Sequence, residues 1–77
     1  MNRKDRLVVA SLQTDDGFRC VDIVRRPDGS FFWDEWRRDP EDPSGWHGTG
    51  RHSVGDFATE ENADRDARQN FDWLDPA

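Results

Sequence analysis

Phe18 to Arg38 reads FRCVDIVRRPDGSFFWDEWRR, two runs rich in β-branched and aromatic residues on either side of Pro27-Asp28-Gly29-Ser30. Proline presets the first turn dihedral, aspartate bonds its own backbone, and glycine takes a positive φ without steric cost, so the pattern predicts a β-hairpin. Successive strand side chains point to opposite faces. Phe31 and Trp33 therefore share one face and Phe32 and Trp36 the other; Val21 and Ile23 likewise oppose Phe18, Cys20 and Val24, around a central Asp22. Both faces are apolar, and a single helix covers only one of them.

The flanks supply further elements. Leu7 to Leu12, LVVASL, has the length and branching of a strand, and Thr14-Asp15-Asp16-Gly17 is a turn leading into Phe18. Asp39 to Gly45 holds Pro40 and Pro43, which lack backbone donors, and is a loop. Trp46 to Val54 is a further strand in which Gly48 and Gly50 suggest a bulge or a close backbone approach. From Thr59 the pattern becomes helical: Ala63, Ala67, Phe71 and Leu74 form one stripe, Thr59 suits the N-cap, and Glu60 and Glu61 favour the positive end of the helix dipole. Glu61 with Arg65 and Asp64 with Arg68 are four-apart pairs, and Pro76 would end the helix. The prediction is an α+β fold, an antiparallel sheet of three to four strands with one C-terminal helix packed across one face. The small residues Ala63 and Ala67 would let the helix lie close to the bulky strands.

Composition sharpens this. The 77 residues suffice for one domain, 7–77, preceded by a polar, flexible terminus over 1–6. With 32% hydrophobic and 36% charged residues the chain approaches disordered compositions, but four Trp and five Phe argue for a folded domain. Cys20 has no cysteine to pair with, and no apolar run approaches the ~20 residues of a membrane span. A cytoplasmic protein without membrane contact is the expectation. Charge is uneven: residues 1–38 hold eight basic and seven acidic side chains, and residues 39–77 hold three and ten, within a net charge of −6.

The residues that bear chemistry are sparse. His52 and Ser53 would point apart on a strand, Cys20 sits among apolar neighbours as a small buried hydrophobe, and there is no glycine-rich phosphate loop. His47 and His52 face opposite sides of an extended chain, and Asp39, Glu41 and Asp42 lack calcium-loop spacing. No enzyme, no metal and no cofactor is expected.

The order strand, strand, strand, helix resembles the AP2-type and integrase amino-terminal DNA-binding modules. Trp46-His47-Gly48-Thr49 is similar to the W-x-G-T strand of that family, and Phe57-Ala58-Thr59-Glu60-Glu61 with Ala63 and Ala67 is similar to its helix start. The resemblance implies a sheet face in the DNA major groove, with Arg25, Arg26, Trp33, Arg37 and Trp46 as matching positions. Gly50 to Asp56 separates pieces that are contiguous in the family, and the acidic net charge opposes phosphate binding.

The reading that follows is a small interaction domain binding a protein partner or a second copy of itself. Phe31, Trp33, Trp36, Arg25, Arg37 and Trp46 are the candidate contact residues, because Trp and Arg most often dominate interface energy. A nucleic-acid module using the sheet face and an acidic inhibitor imitating DNA toward a basic enzyme are the alternatives.

Overall fold

The computed structural model describes residues 7–74. The terminus over 1–6 and the stop at Pro76 lie outside them. Four strands, β1 (Leu7–Gln13), β2 (Arg19–Arg25), β3 (Phe31–Arg38) and β4 (Trp46–His52), are followed by one helix, α1 (Glu60–Asn70). The sheet is an antiparallel meander in the order β1-β2-β3-β4. Its edges are therefore Leu7–Gln13 and Trp46–His52, and the aromatic hairpin is central.

The hairpin turn has the predicted chemistry. Arg26 N–H donates to the Ser30 carbonyl at 2.8 Å and Gly29 N–H to the Arg26 carbonyl at 2.9 Å. Gly29 takes a φ of 88°, and the Asp28 carboxylate accepts from Ser30 N–H at 2.9 Å and from its hydroxyl at 2.6 Å. Those two bonds, backed weakly by the Arg26 charge, hold the Asp28 carboxyl below its ordinary value of 3.8.

Register then decides which side chains share a face. Ile23 stands opposite Trp33, Val21 opposite Glu35, and Arg25 opposite Phe31. On the other side of the same strands, Val24 meets Phe32, Asp22 meets Asp34, and Cys20 meets Trp36. In β1 a bulge at Val9 sets Ala10 opposite Ile23 and Leu12 opposite Val21, so these two join the helix-side face while Val8, opposite Val24, lies on the other.

The helix closes this first face. Ala63 and Ala67 are fully buried, and Val21, Ile23, Trp33, Phe71 and Leu74 complete the core, with Ala10, Leu12, Phe31, Phe57 and Trp73 packed around it. Alanine on the helix against tryptophan on the strand brings the two layers close. Trp33 is the centre of the arrangement: it meets Phe71 edge-on at 5.1 Å and donates its indole N–H to the Asp66 carboxylate at 2.7 Å. Helix and sheet are thus joined here by packing together with a charge-assisted hydrogen bond.

Helix ends follow the expected rules with one correction. Thr59 is the N-cap, its hydroxyl accepting from Asn62 N–H at 3.1 Å, and Arg68 pairs with Asp64 along the exposed side. Thr59→Ala should cost about 1 kcal/mol, the usual value of a lost N-cap, read from urea unfolding midpoints. The helix stops at Asn70, well before Pro76. Phe71 adopts an extended conformation and its N–H donates to the Ala67 carbonyl at 3.1 Å. Arg51 provides the reason: its guanidinium donates to the Asn70 carbonyl at 2.8 Å and lies 4.3 Å from the Phe71 ring centroid, capping the helix from β4. Phe71 and Leu74 reach the core from beyond the helix.

Candidate functional site

The register divides the six candidate contact residues between two faces. Trp33 is 2% exposed beneath the helix and is not available to a partner. Phe31 lies on the same side, half-buried, its N–H and carbonyl both bonded to Phe57 at 2.8 Å. Arg25 and Arg37 are exposed positions of that face beyond the core. Only Trp36 and Trp46 belong to the face opposite the helix. Alternation alone separates these groups, but choosing the face on which the helix lies required the packing of Trp33 against Ala63 and Ala67.

The face opposite the helix is built in rows. At its centre Val24, Asp22 and Cys20 of β2 are buried, flanked by Val8, Ser11 and Gln13 of β1 and by Phe32, Asp34 and Trp36 of β3. Asp22 accepts the Ser11 hydroxyl at 2.8 Å and the Cys20 thiol at 3.1 Å, so a carboxylate is held within the apolar strand by named donors. Cys20 is fully buried. β1 is an edge strand of the sheet, and residues 39–44 are exposed.

Toward β4 the face becomes concave. Trp36 lies opposite Gly48, where an added Cβ would stand 3.7 Å from the indole ring, and its N–H donates to the Asp34 carboxylate at 3.0 Å. Between Asp34 and Trp36 the partner strand carries extra residues, with Gly50 at a φ of 86°. This irregularity, the bulge that Gly48 and Gly50 suggested, opens a groove of about 470 Å³ lined by Phe32, Trp36, Gly48, His52, Asp34 and Arg26. Phe32, Trp36 and Trp46 are all half-buried.

Arginines stand over two of these rings. The Arg26 guanidinium is 4.2 Å from the Phe32 centroid and pairs with Asp56 at 2.9 Å. Arg38 sits between Trp46 at 5.0 Å and Phe18 at 5.7 Å. A stacked guanidinium keeps its edge donors free for hydrogen bonds in the ring plane. Arg38, Phe18 and Phe32 were not among the six candidates, although the signal was present: Phe32, Trp36 and Arg38 alternate along one face of β3.

The remaining polar groups are committed locally. His52 Nδ1 lies 2.9 Å from the Ser53 carbonyl, and Ser53 accepts Trp33 N–H at 3.2 Å and returns a bond to the Trp33 carbonyl at 2.9 Å. His47 pairs with Asp42 at 3.3 Å, whose carboxyl is lowered first by Ser44 and then by this histidine. The two histidines lie on opposite faces, opposite Arg37 and Asp34 respectively. Among the described residues no group of three or more His, Cys, Asp or Glu side chains could hold a metal ion. No helix among them is long and apolar enough to cross a membrane.

The fold and this surface define an α+β domain with a four-stranded antiparallel meander and one C-terminal helix. No protein-family model, curated protein or solved structure matches the chain.

Proposed function

We propose that this protein is a small non-enzymatic interaction domain that binds a protein partner through the sheet face turned away from its helix. The observation that carries the reading is the set of half-buried rings Phe32, Trp36 and Trp46 on that face, with Arg26 over Phe32 and Arg38 over Trp46, beside a groove lined by Phe32 and Trp36. Aromatic side chains beside arginine are the residue types that anchor interfaces, and a ring already half desolvated loses little further entropy when it is covered. The buried thiol of Cys20 and the locally bonded rings of His47 and His52 favour binding over catalysis as the use of this surface.

A photoreactive phenylalanine analogue placed at position 46, with a second placed at exposed Gln69 on the helix, tests this in cells. Crosslinks from position 46 to one discrete protein, or to a second copy of the chain, are expected, with few from position 69. Trp36→Ala should reduce that crosslink by at least tenfold while the far-ultraviolet spectrum and unfolding midpoint stay close to the parent, because a central anchor is worth about 2 kcal/mol or more. Equal crosslinking from both positions would remove the far face as the binding surface.

A further inference from the structure

Beyond the helix, at the end of the sheet where β2 begins and β3 ends, the register sets Arg19 opposite Arg37 and Arg37 opposite His47. Two arginines and a histidine thus stand in line across three strands, all exposed, on the side that carries Val21 and Trp33. Directly opposed Cβ atoms are about 4.5–5.5 Å apart, and like charges at that spacing destabilise a strand pair. The chain has seventeen acidic residues to offer, yet among the described residues neither Arg19 nor Arg37 forms an ion pair. Neighbouring acids are otherwise engaged. Asp16 accepts the Thr14 hydroxyl at 2.5 Å and Phe18 N–H at 2.9 Å, with Arg19 acting on it only through its field, while Asp42 serves Ser44 and His47. Arg38, the next residue along β3, is held between two rings on the other face and also has no carboxylate partner among the described residues.

We propose that Arg19 and Arg37 of this row bind the carboxylates of an acidic segment in the protein partner, beside His47, which already pairs with Asp42. Guanidinium forks match carboxylate geometry, and an anion placed between opposed arginines relieves the repulsion that the strand pair otherwise carries. The charge distribution selects the class of partner. A long polyanion such as nucleic acid would also meet the acidic remainder of a chain with net charge −6, whereas a short acidic stretch needs only the row. The protein class of the partner rests on the function proposed above; the row rests on strand register alone.

A fluorescein-labelled hexaglutamate peptide, titrated at low and at ~150 mM salt, where the screening length is ~8 Å, tests the site directly. Binding is expected to weaken with salt, to shift the Nε–Hε resonances of Arg19 and Arg37 most, and to fall about tenfold in Arg37→Gln, the equivalent of one lost charge-assisted contact. Arg65→Gln, on the exposed side of the helix, should bind as the parent does. Because the row is self-repelling, Arg37→Gln should melt at or above the parent temperature. Three results would overturn the proposal: parental affinity in Arg37→Gln, a lower melting temperature that marks the row as structural, or tighter binding of a six-nucleotide single strand than of hexaglutamate. Failure of the far-face reading would appear in the crosslinks from position 46 and would leave this titration unchanged.

Discussion

Trp33→Ala should leave the protein largely unfolded at room temperature. Truncating a buried tryptophan or phenylalanine costs about 3–5 kcal/mol, and a domain this small sits near the lower end of the usual 5–15 kcal/mol of stability. Trp33 is 2% exposed, meets Phe71 edge-on, and ties its indole N–H to Asp66 on the helix. Its loss therefore opens a cavity between the layers and leaves the Asp66 carboxylate without this donor. Loss of the far-ultraviolet signal and of the cooperative urea transition is the measurement. Trp33→Phe separates the two contributions: most of the ring volume remains, the hydrogen bond does not, and a smaller cost of about 1–3 kcal/mol is expected. A Trp33→Ala variant with the parental urea midpoint would refute the assignment of this residue as the centre of the core.

Phe71→Ala is the second large loss, again about 3–5 kcal/mol by the cost of removing a buried ring. Its position makes the effect specific. Phe71 is the residue at which the helix ends, and its ring is touched by Trp33 at 5.1 Å, by Trp73 at 5.4 Å and by the Arg51 guanidinium at 4.3 Å. Removing it takes away the stacking surface of the arginine that caps the helix. Hydrogen exchange should accordingly speed up first at residues 67–74 and in β4, before the β2–β3 pair is affected. Uniform acceleration across the whole sheet would show instead that the ring acts only through global stability.

The two proposed binding surfaces differ from these core positions in a testable respect. Core substitutions lower stability, and any loss of binding follows from unfolding. Trp36→Ala is expected to lose binding with the fold retained, and Arg37→Gln to lose it with the fold unharmed or improved. Residues kept at a cost to stability are the pattern left by selection for function.

Much of the architecture was legible in the residues. Pro27-Asp28-Gly29-Ser30 specified the hairpin, the apolar run Leu7 to Leu12 the first strand, Gly48 and Gly50 the irregular fourth, and Thr59 with Ala63 and Ala67 the start and buried side of the helix, whereas Phe71 and Leu74 of the same stripe lie beyond its end. These features are local, set by dihedral preference and by alternation over a few residues. The helix end was less legible: Pro76 was the local stop signal, while a guanidinium from β4, distant in sequence, ends the helix at Asn70.

The candidate surface was legible only in composition. Aromatic and arginine residues marked the hairpin as the region of interest, and alternation separated Phe31 and Trp33 from Phe32 and Trp36. Which pair would be enclosed depended on where two alanines of a helix some thirty residues later come to rest. Likewise, Arg19, Arg37 and His47 are eighteen and ten residues apart along the chain and become one row only through two hairpin registers. Short-range order determined the strands, turns and helix start of this protein, because each is fixed by the stereochemistry of neighbouring residues. The covered face, the end of the helix and the lateral alignment of charges were decided by long-range packing, which joins residues that no local pattern relates.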